Sequence, residues 1–196
     1  ELGYSLHVGG RPALELQGYA HFLSMQGARQ LHVHGVNKLP RWVDQTEAPY
    51  RLTLHKVGLF DEPVAEAVTT KPFGHWDWPV RYATPELALL ELAAEVKQAA
   101  DFGVLDKLFD SATSLRPQLL TKLLMACHHV KAKRLFLWFA ERHGFDWLKQ
   151  LEKGAISLGS GKRLIVKSGT LDKKYLIAVP RKMMREDTDG FDESFL

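Results

Sequence analysis

The chain has one cysteine, Cys127, in 196 residues. That excludes an internal disulfide framework and any metal site built from several thiolates, and it fits a reducing cytoplasm. No run of about 18 apolar residues occurs and the opening lacks a charged-then-apolar pattern, so neither a membrane span nor a secretory signal is predicted. No internal repeat is found, which removes solenoids and propellers. A start methionine is also lacking: the chain opens on Glu1, and the expectation is that an upstream portion is missing.

Phosphate-loop chemistry is lacking too, although "LGSGKRLIVKSG" at residues 158–169 imitates it. A Walker loop needs glycine, four residues, then Gly-Lys-Ser/Thr, because backbone amides cradle phosphates and the hydroxyl holds magnesium. Here Gly161-Lys162 is followed by Arg163, and Ile156 holds the place of the earlier glycine. The dinucleotide fingerprint fails at Leu164, where its third glycine belongs. The stretch therefore reads as a charged hairpin.

What is present is an apolar fraction of 45%, enough for a core without staples, and an uneven charge. Residues 1–114 hold 10 basic and 14 acidic side chains, residues 115–185 hold 16 and 4, and residues 186–196 hold five acids. The segment nets are −4, +12 and −5, which sum to the overall +3. A basic stretch of this kind attracts phosphate backbones or an acidic partner, unless it is simply a solvated surface.

Periodicity predicts strands at residues 5–8, 31–35, 50–55 and 80–83, and a helix opened by Pro12 and running to about His21. Residues 37–45 read as a loop or a single helical turn, and "TTKPFGHWDWPV" as a connection broken by proline and glycine. Thr84, Pro85 and Glu86 supply a cap, a first-turn proline and a first-turn acid for a helix with an apolar stripe through Val96. Asp101 is expected to cap a second helix and Pro117 to open a third, with Cys127 in its core stripe. "LFLWF" at residues 135–139 is apolar on every side and predicts an enclosed helix. Strands at 163–167 and 175–179, with turns at "GSGK" and "SGTLD", close the order. The fold class expected is α+β, a mixed sheet with a helical bundle segment and a C-terminal antiparallel hairpin.

Candidate chemistry is thin. Gly159-Ser160 with Asp187 and Asp189 imitates a nucleotidyltransferase, but the carboxylates lie in the acidic tail "EDTDGFDESFL", which reads as loose and cannot preorganise a metal. His32 and His34 share a strand face without an evident third ligand, so no metal or other cofactor is expected. Residues 128–129 are a weaker pair, and Cys127 sits where a thiolate is disfavoured. No catalytic residue is assigned.

The oddest stretch is "HHVKAKRLFLWFAERHG". Lys131, Lys133 and Arg134 stand where a helix should start, and cations there cost about 0.3–1 kcal/mol each against the macrodipole. Either an anion or carboxylate lies over that helix start, or the two helices run on without a break and the cations face water. On the first reading Lys162, Arg163, Lys167, Lys173 and Lys174 form the second bank of one basic surface.

"HVGGRPALELQGYAHFL", "ATPELALLELAAEV", "LRPQLLTKLLMACHHVKAKRLFLWFAERHG" and "LGSGKRLIVKSGTLDKKYLIAVP" together resemble the C-terminal domain of AbiEi-type antitoxins, from bacterial abortive-infection, type IV toxin–antitoxin systems. The resemblance covers about residues 5–183, with the motifs in the same order. It implies a cytoplasmic, non-enzymatic phage-defence regulator. Operator DNA would be bound mainly through an N-terminal winged-helix domain absent from this chain, with self-association on the operator. The cognate nucleotidyltransferase-like toxin would be opposed without a stable complex. The implied organisation is an antitoxin domain over residues 1–184 and an acidic tail over 185–196. Within the domain, 1–100 form a sheet-and-helix part, 101–150 a helical part and 151–184 a basic hairpin part. Leu87 departs from the family pattern, which commonly has arginine after Pro-Glu.

Overall fold

The computed structural model describes residues 6–19, 29–35, 43, 50–56, 58–73 and 75–184. The expected loop at 37–45 and the acidic tail lie almost wholly outside them. Strand β1 (His7–Val8) stops after two residues, where Gly9 and Gly10 turn the chain into helix α1 (Gly10–Leu16). Gly10 adopts φ +54, a left-handed backbone open to glycine. The helix stops short of the expected His21, because Gly18 leaves it at φ +80.

Strands β2 (Arg29–His34) and β3 (Tyr50–His55) run parallel and in register over their whole length. Strand β1 pairs antiparallel with β2 and parallel with β5 (Trp78–Ala83) through Val8 and Tyr82. Strand β4 (Val68–Phe73) closes the edge of a mixed sheet ordered β3-β2-β1-β5-β4. The sequence expectation of a broken connection fails here, since β4 and β5 form a regular antiparallel hairpin. Its prolines are tolerated by position. Pro72 and Pro79 face each other across the ladder, and a pair without N–H groups must be a non-hydrogen-bonded one. On their outer sides, β4 is an edge strand, and β1 is too short to reach Pro79.

Helix α2 (Pro85–Glu95) starts at the predicted proline and is buried almost all round. It packs on α1 and β5 on one side and on α3, α4 and α5 on the other, so it joins the sheet to the helices. Leu87, the departure from the family pattern, is among its core residues. Helix α3 (Ala99–Asp110) begins before Asp101, which serves at the third helical position: its Oδ2 accepts from the amides of Lys97 and Gln98, at 2.8 and 3.1 Å, as half of a capping box. Helix α4 (Pro117–Ala126) opens on its proline as expected. The chain then breaks at residues 127–129, and α5 (Val130–His143) starts anew with the His129 ring accepting the Ala132 amide.

Residues 132–140 of α5 are all buried, as the apolar run predicts. Phe102 and Phe109 of α3 pack on Phe136 and Phe139 with ring centroids 5.1–5.8 Å apart, contacts that add about 0.5–1.5 kcal/mol each beyond area burial. Beyond the helices, β6 (Thr170–Asp172) and β7 (Ile177–Val179) form the antiparallel hairpin. The sequence expectation placed its first strand at 163–167. Only Arg163 pairs there, in a single parallel bridge to Ile177, and Leu164 is exposed. The turn falls at 173–176 without a glycine, because the Asp172 carboxylate accepts the Tyr175 amide at 2.7 Å and Leu176 takes a left-handed backbone.

Candidate functional site

Arg134, 2% exposed, is a large buried side chain pointed at the Gly-Ser loop. Its Nε donates to Leu158 O at 2.8 Å, Nη1 to Gly161 O at 2.6 Å and Leu176 O at 3.4 Å, and Nη2 to Gly159 O at 3.0 Å. The loop is shaped to receive it: Gly159 has φ +61, and a Cβ there would lie 2.9 Å from Val130 Cγ2. Burial and neighbouring Arg163 lower the Arg134 pKa from its ordinary value.

Arg134, Trp138, Glu141 and Arg142 recur at helical spacing, so α5 carries a polar stripe beside its apolar faces. Each member of the stripe grips the C-terminal segment. Trp138 Nε1 donates to Asp172 at 3.1 Å, Lys174 Nζ reaches both Glu141 oxygens at 2.6 Å, and Arg142 Nη1 donates to Met183 O at 2.7 Å. The cleft lined by Trp138, Glu141, Asp172, Lys174 and Tyr175 has a volume of about 200 Å³, below the size usual for small-molecule pockets.

The remaining cations divide. Lys131 turns away from the hairpin, and its Nζ donates to Val96 O at the C-terminal end of α2, at 2.7 Å. There the helix dipole favours a positive charge, which offsets the cost of a cation at the start of α5. Lys133 is 4% exposed. Of the three cations expected to converge on an anion over this helix start, Lys131 and Arg134 are therefore directed at neutral carbonyls, and the unbroken-helix alternative is removed by the break at 127–129. Lys162, Arg163, Lys167, Lys173 and Lys174 are all exposed on the segment that Arg134 holds. Of these, Lys174 is paired with Glu141.

Of the other groups singled out in the sequence, Cys127 is buried and its thiol pKa is raised by that burial. His128 is exposed, with Nδ1 3.6 Å from Asp61. Ser160 is exposed on the Gly-Ser loop, whereas Asp187 and Asp189 lie outside the described residues.

Sequence reasoning saw only part of a second constellation. The histidine-bearing face of the sheet, where the sequence offered His32 and His34 without a third ligand, is covered by α2. His7, His34 and His55 are in register across β1, β2 and β3 and stack with ring centroids 5.8 and 4.8 Å apart; His32 stacks on His55 at 4.8 Å. Glu91 and Glu95, one turn apart on α2, face them. Glu91 contacts His7 Nε2 at 2.6 Å and accepts the Gly10 amide at 2.8 Å. Glu95 Oε1 lies 2.6 Å from His55 Nδ1 and 3.6 Å from His34 Nε2, yet neither contact has hydrogen-bond geometry. Burial and the Glu91 charge push the Glu95 carboxyl up to about 7, while burial brings His34 down to about 4. Burial also lowers His32 and His55. The signal available in the sequence was the i, i+4 glutamate pair on the best-marked helix.

A family model described as "Transcriptional regulator, AbiEi antitoxin, Type IV TA system" matches residues 27–180. No curated protein and no solved structure matches the chain.

Proposed function

The chain belongs to the AbiEi antitoxin family, transcriptional regulators of type IV toxin–antitoxin systems, and from that premise we propose that it neutralises a nucleotidyltransferase-like toxin by recognition, without catalysis. Residues 1–184 serve as the antitoxin domain, working in the cytoplasm and assisting autoregulation on operator DNA. A winged-helix domain of the kind found in the family carries most of the DNA contact. The toxin is opposed without a stable complex.

The observation that supports recognition is the Arg134 clamp. One buried guanidinium fixes the turn from which Lys162, Arg163 and Lys167 project, and the same helix holds the hairpin bearing Lys173 and Lys174. Ordered cations on a braced turn suit a phosphate backbone or an acidic protein surface. Lys133 and Arg134 act as supports for that surface rather than as its contacts, and Lys131 supports α2.

Co-expression with the toxin tests the proposal. The combined variant Lys162→Glu, Arg163→Glu, Lys167→Glu and Lys173→Glu is expected to lose neutralisation while its far-UV circular dichroism stays unchanged. Full rescue by that variant overturns the proposal. Binding to nucleic acid, where observed, is expected to weaken log-linearly with salt, by roughly 0.7–0.9 log units per log unit of salt for each phosphate contacted.

A further inference from the structure

We propose that His32, His55 and Glu95 form a binding site for a first-row divalent transition-metal ion of the zinc class, held between the sheet and helix α2. The three residues come from three elements, β2, β3 and α2, and offer one ligand atom each, all within 4.8 Å of one another. A tetrahedral zinc ion with bonds of about 2.0–2.2 Å wants its donors roughly 3.3 Å apart. Side-chain rotations that close the widest separations by no more than about 1.5 Å, and part Glu95 Oε1 from His55 Nδ1 where these stand 2.6 Å apart, complete the geometry.

The pattern of unmet bonding picks out this end of the cluster. Glu91, a turn earlier on the same helix face, has partners for both oxygens in His7 and the Gly10 amide. Glu95 Oε1, His34 Nε2 and His55 Nε2 are buried and have no hydrogen-bond partner among the described residues. His34 is 5% exposed, so its free nitrogen is enclosed rather than solvated. Buried polar atoms are seldom left unpaired, and a group of them around one carboxylate points to a missing positive centre. A divalent cation supplies charge to Glu95 and accepts imidazole lone pairs. His34 Nε2, 3.6 Å from Glu95 Oε1, is a further donor for the fourth position.

The donor set selects the ion. Two imidazoles and a carboxylate suit zinc, cobalt, nickel or ferrous iron, whereas magnesium and calcium take oxygen ligands. The mounting is rigid: the imidazoles stack in a ladder on paired strands, and Glu95 stands on a helix packed on both sides.

The test uses the full chain, stripped with a chelator and titrated with Zn²⁺ against a chromophoric competitor. Co²⁺ serves as a spectroscopic probe of tetrahedral nitrogen and oxygen ligation. One ion per chain is expected, with a visible Co²⁺ band. Glu95→Gln and His32→Asn are each expected to weaken Zn²⁺ binding by roughly 100-fold or more, beyond the loss typical of a supporting residue. His75→Ala, at the exposed β4–β5 tip, is expected to leave it unchanged. Circular dichroism of the metal-free proteins identifies any variant that has lost its fold, and the other variant then decides. Absence of a Co²⁺ band in the parent chain overturns the proposal, as does Zn²⁺ affinity that either folded variant retains.

Discussion

Arg134 on α5 donates to the carbonyl of Gly161, 27 residues further along the chain, at 2.6 Å. The guanidinium makes two other carbonyl contacts in the same turn and one to Leu176 in the hairpin turn, and the side chain is buried. Methionine at this position keeps the bulk and leaves those carbonyls unpaired. We expect Arg134→Met to cost about 3–5 kcal/mol in urea unfolding. Arg134→Lys is expected to recover only a fraction, since a single ammonium cannot span the turn.

Glu86 and Arg116 set a pH dependence. Burial alone would raise the Glu86 pKa, but hydrogen bonds, led by those from the Arg116 side chain and amide, outweigh it and hold the carboxyl below the ordinary glutamate value of 4.5. A folded-state pKa below the unfolded one means stability that is fully present above about pH 4.5 and is lost as pH falls through the folded value. Chemical unfolding at neutral pH and in acid is expected to show this loss in the parent chain, and a smaller one in Glu86→Gln.

Gly9 is fixed by close approach rather than by its backbone angle. A Cβ there would stand 2.3 Å from both Glu91 Oε2 and His34 Cδ2. Gly9→Ala is expected to destabilise by about 1–3 kcal/mol, typical of overpacking, with the His7, His34 and His55 ring resonances shifted in NMR spectra.

Core and surface aromatics should separate cleanly. Phe139 is fully buried among Phe102, Phe109 and Trp138, and Phe139→Ala is expected to cost about 3–5 kcal/mol. Trp76, 80% exposed at the β4–β5 tip, is expected to change stability by less than about 0.5 kcal/mol when replaced by serine. Thermal melts of the two variants check the contrast.

The helical half was the most legible part of the sequence, because its start signals are local. Pro85 and Pro117 mark helix starts that hold in three dimensions, and the run at 135–139 is enclosed as its composition implies. Features that depend on partners distant in the chain were hidden. Pro72 and Pro79 look like strand breakers until each is seen opposite the other. The hairpin turn at 173–176 was masked by the more obvious turn sequence "SGTLD" at 168–172, of which Thr170–Asp172 are strand β6. His7 and Glu91 meet across 84 residues, a separation at which periodicity carries no information. Arg134 was visible as a misplaced cation, but only its burial shows that its partners are carbonyl oxygens.

Three glutamates on α2 each hold a different part of the molecule: Glu86 reaches Arg116, Glu91 reaches His7 and Gly10, and Glu95 faces His55. A change in the pitch of that one helix would displace all three attachments together. The sheet cannot therefore be exchanged for a relative's by cutting before Pro85, because a graft would have to bring matching histidines and its own tight glycine corner along with the strands.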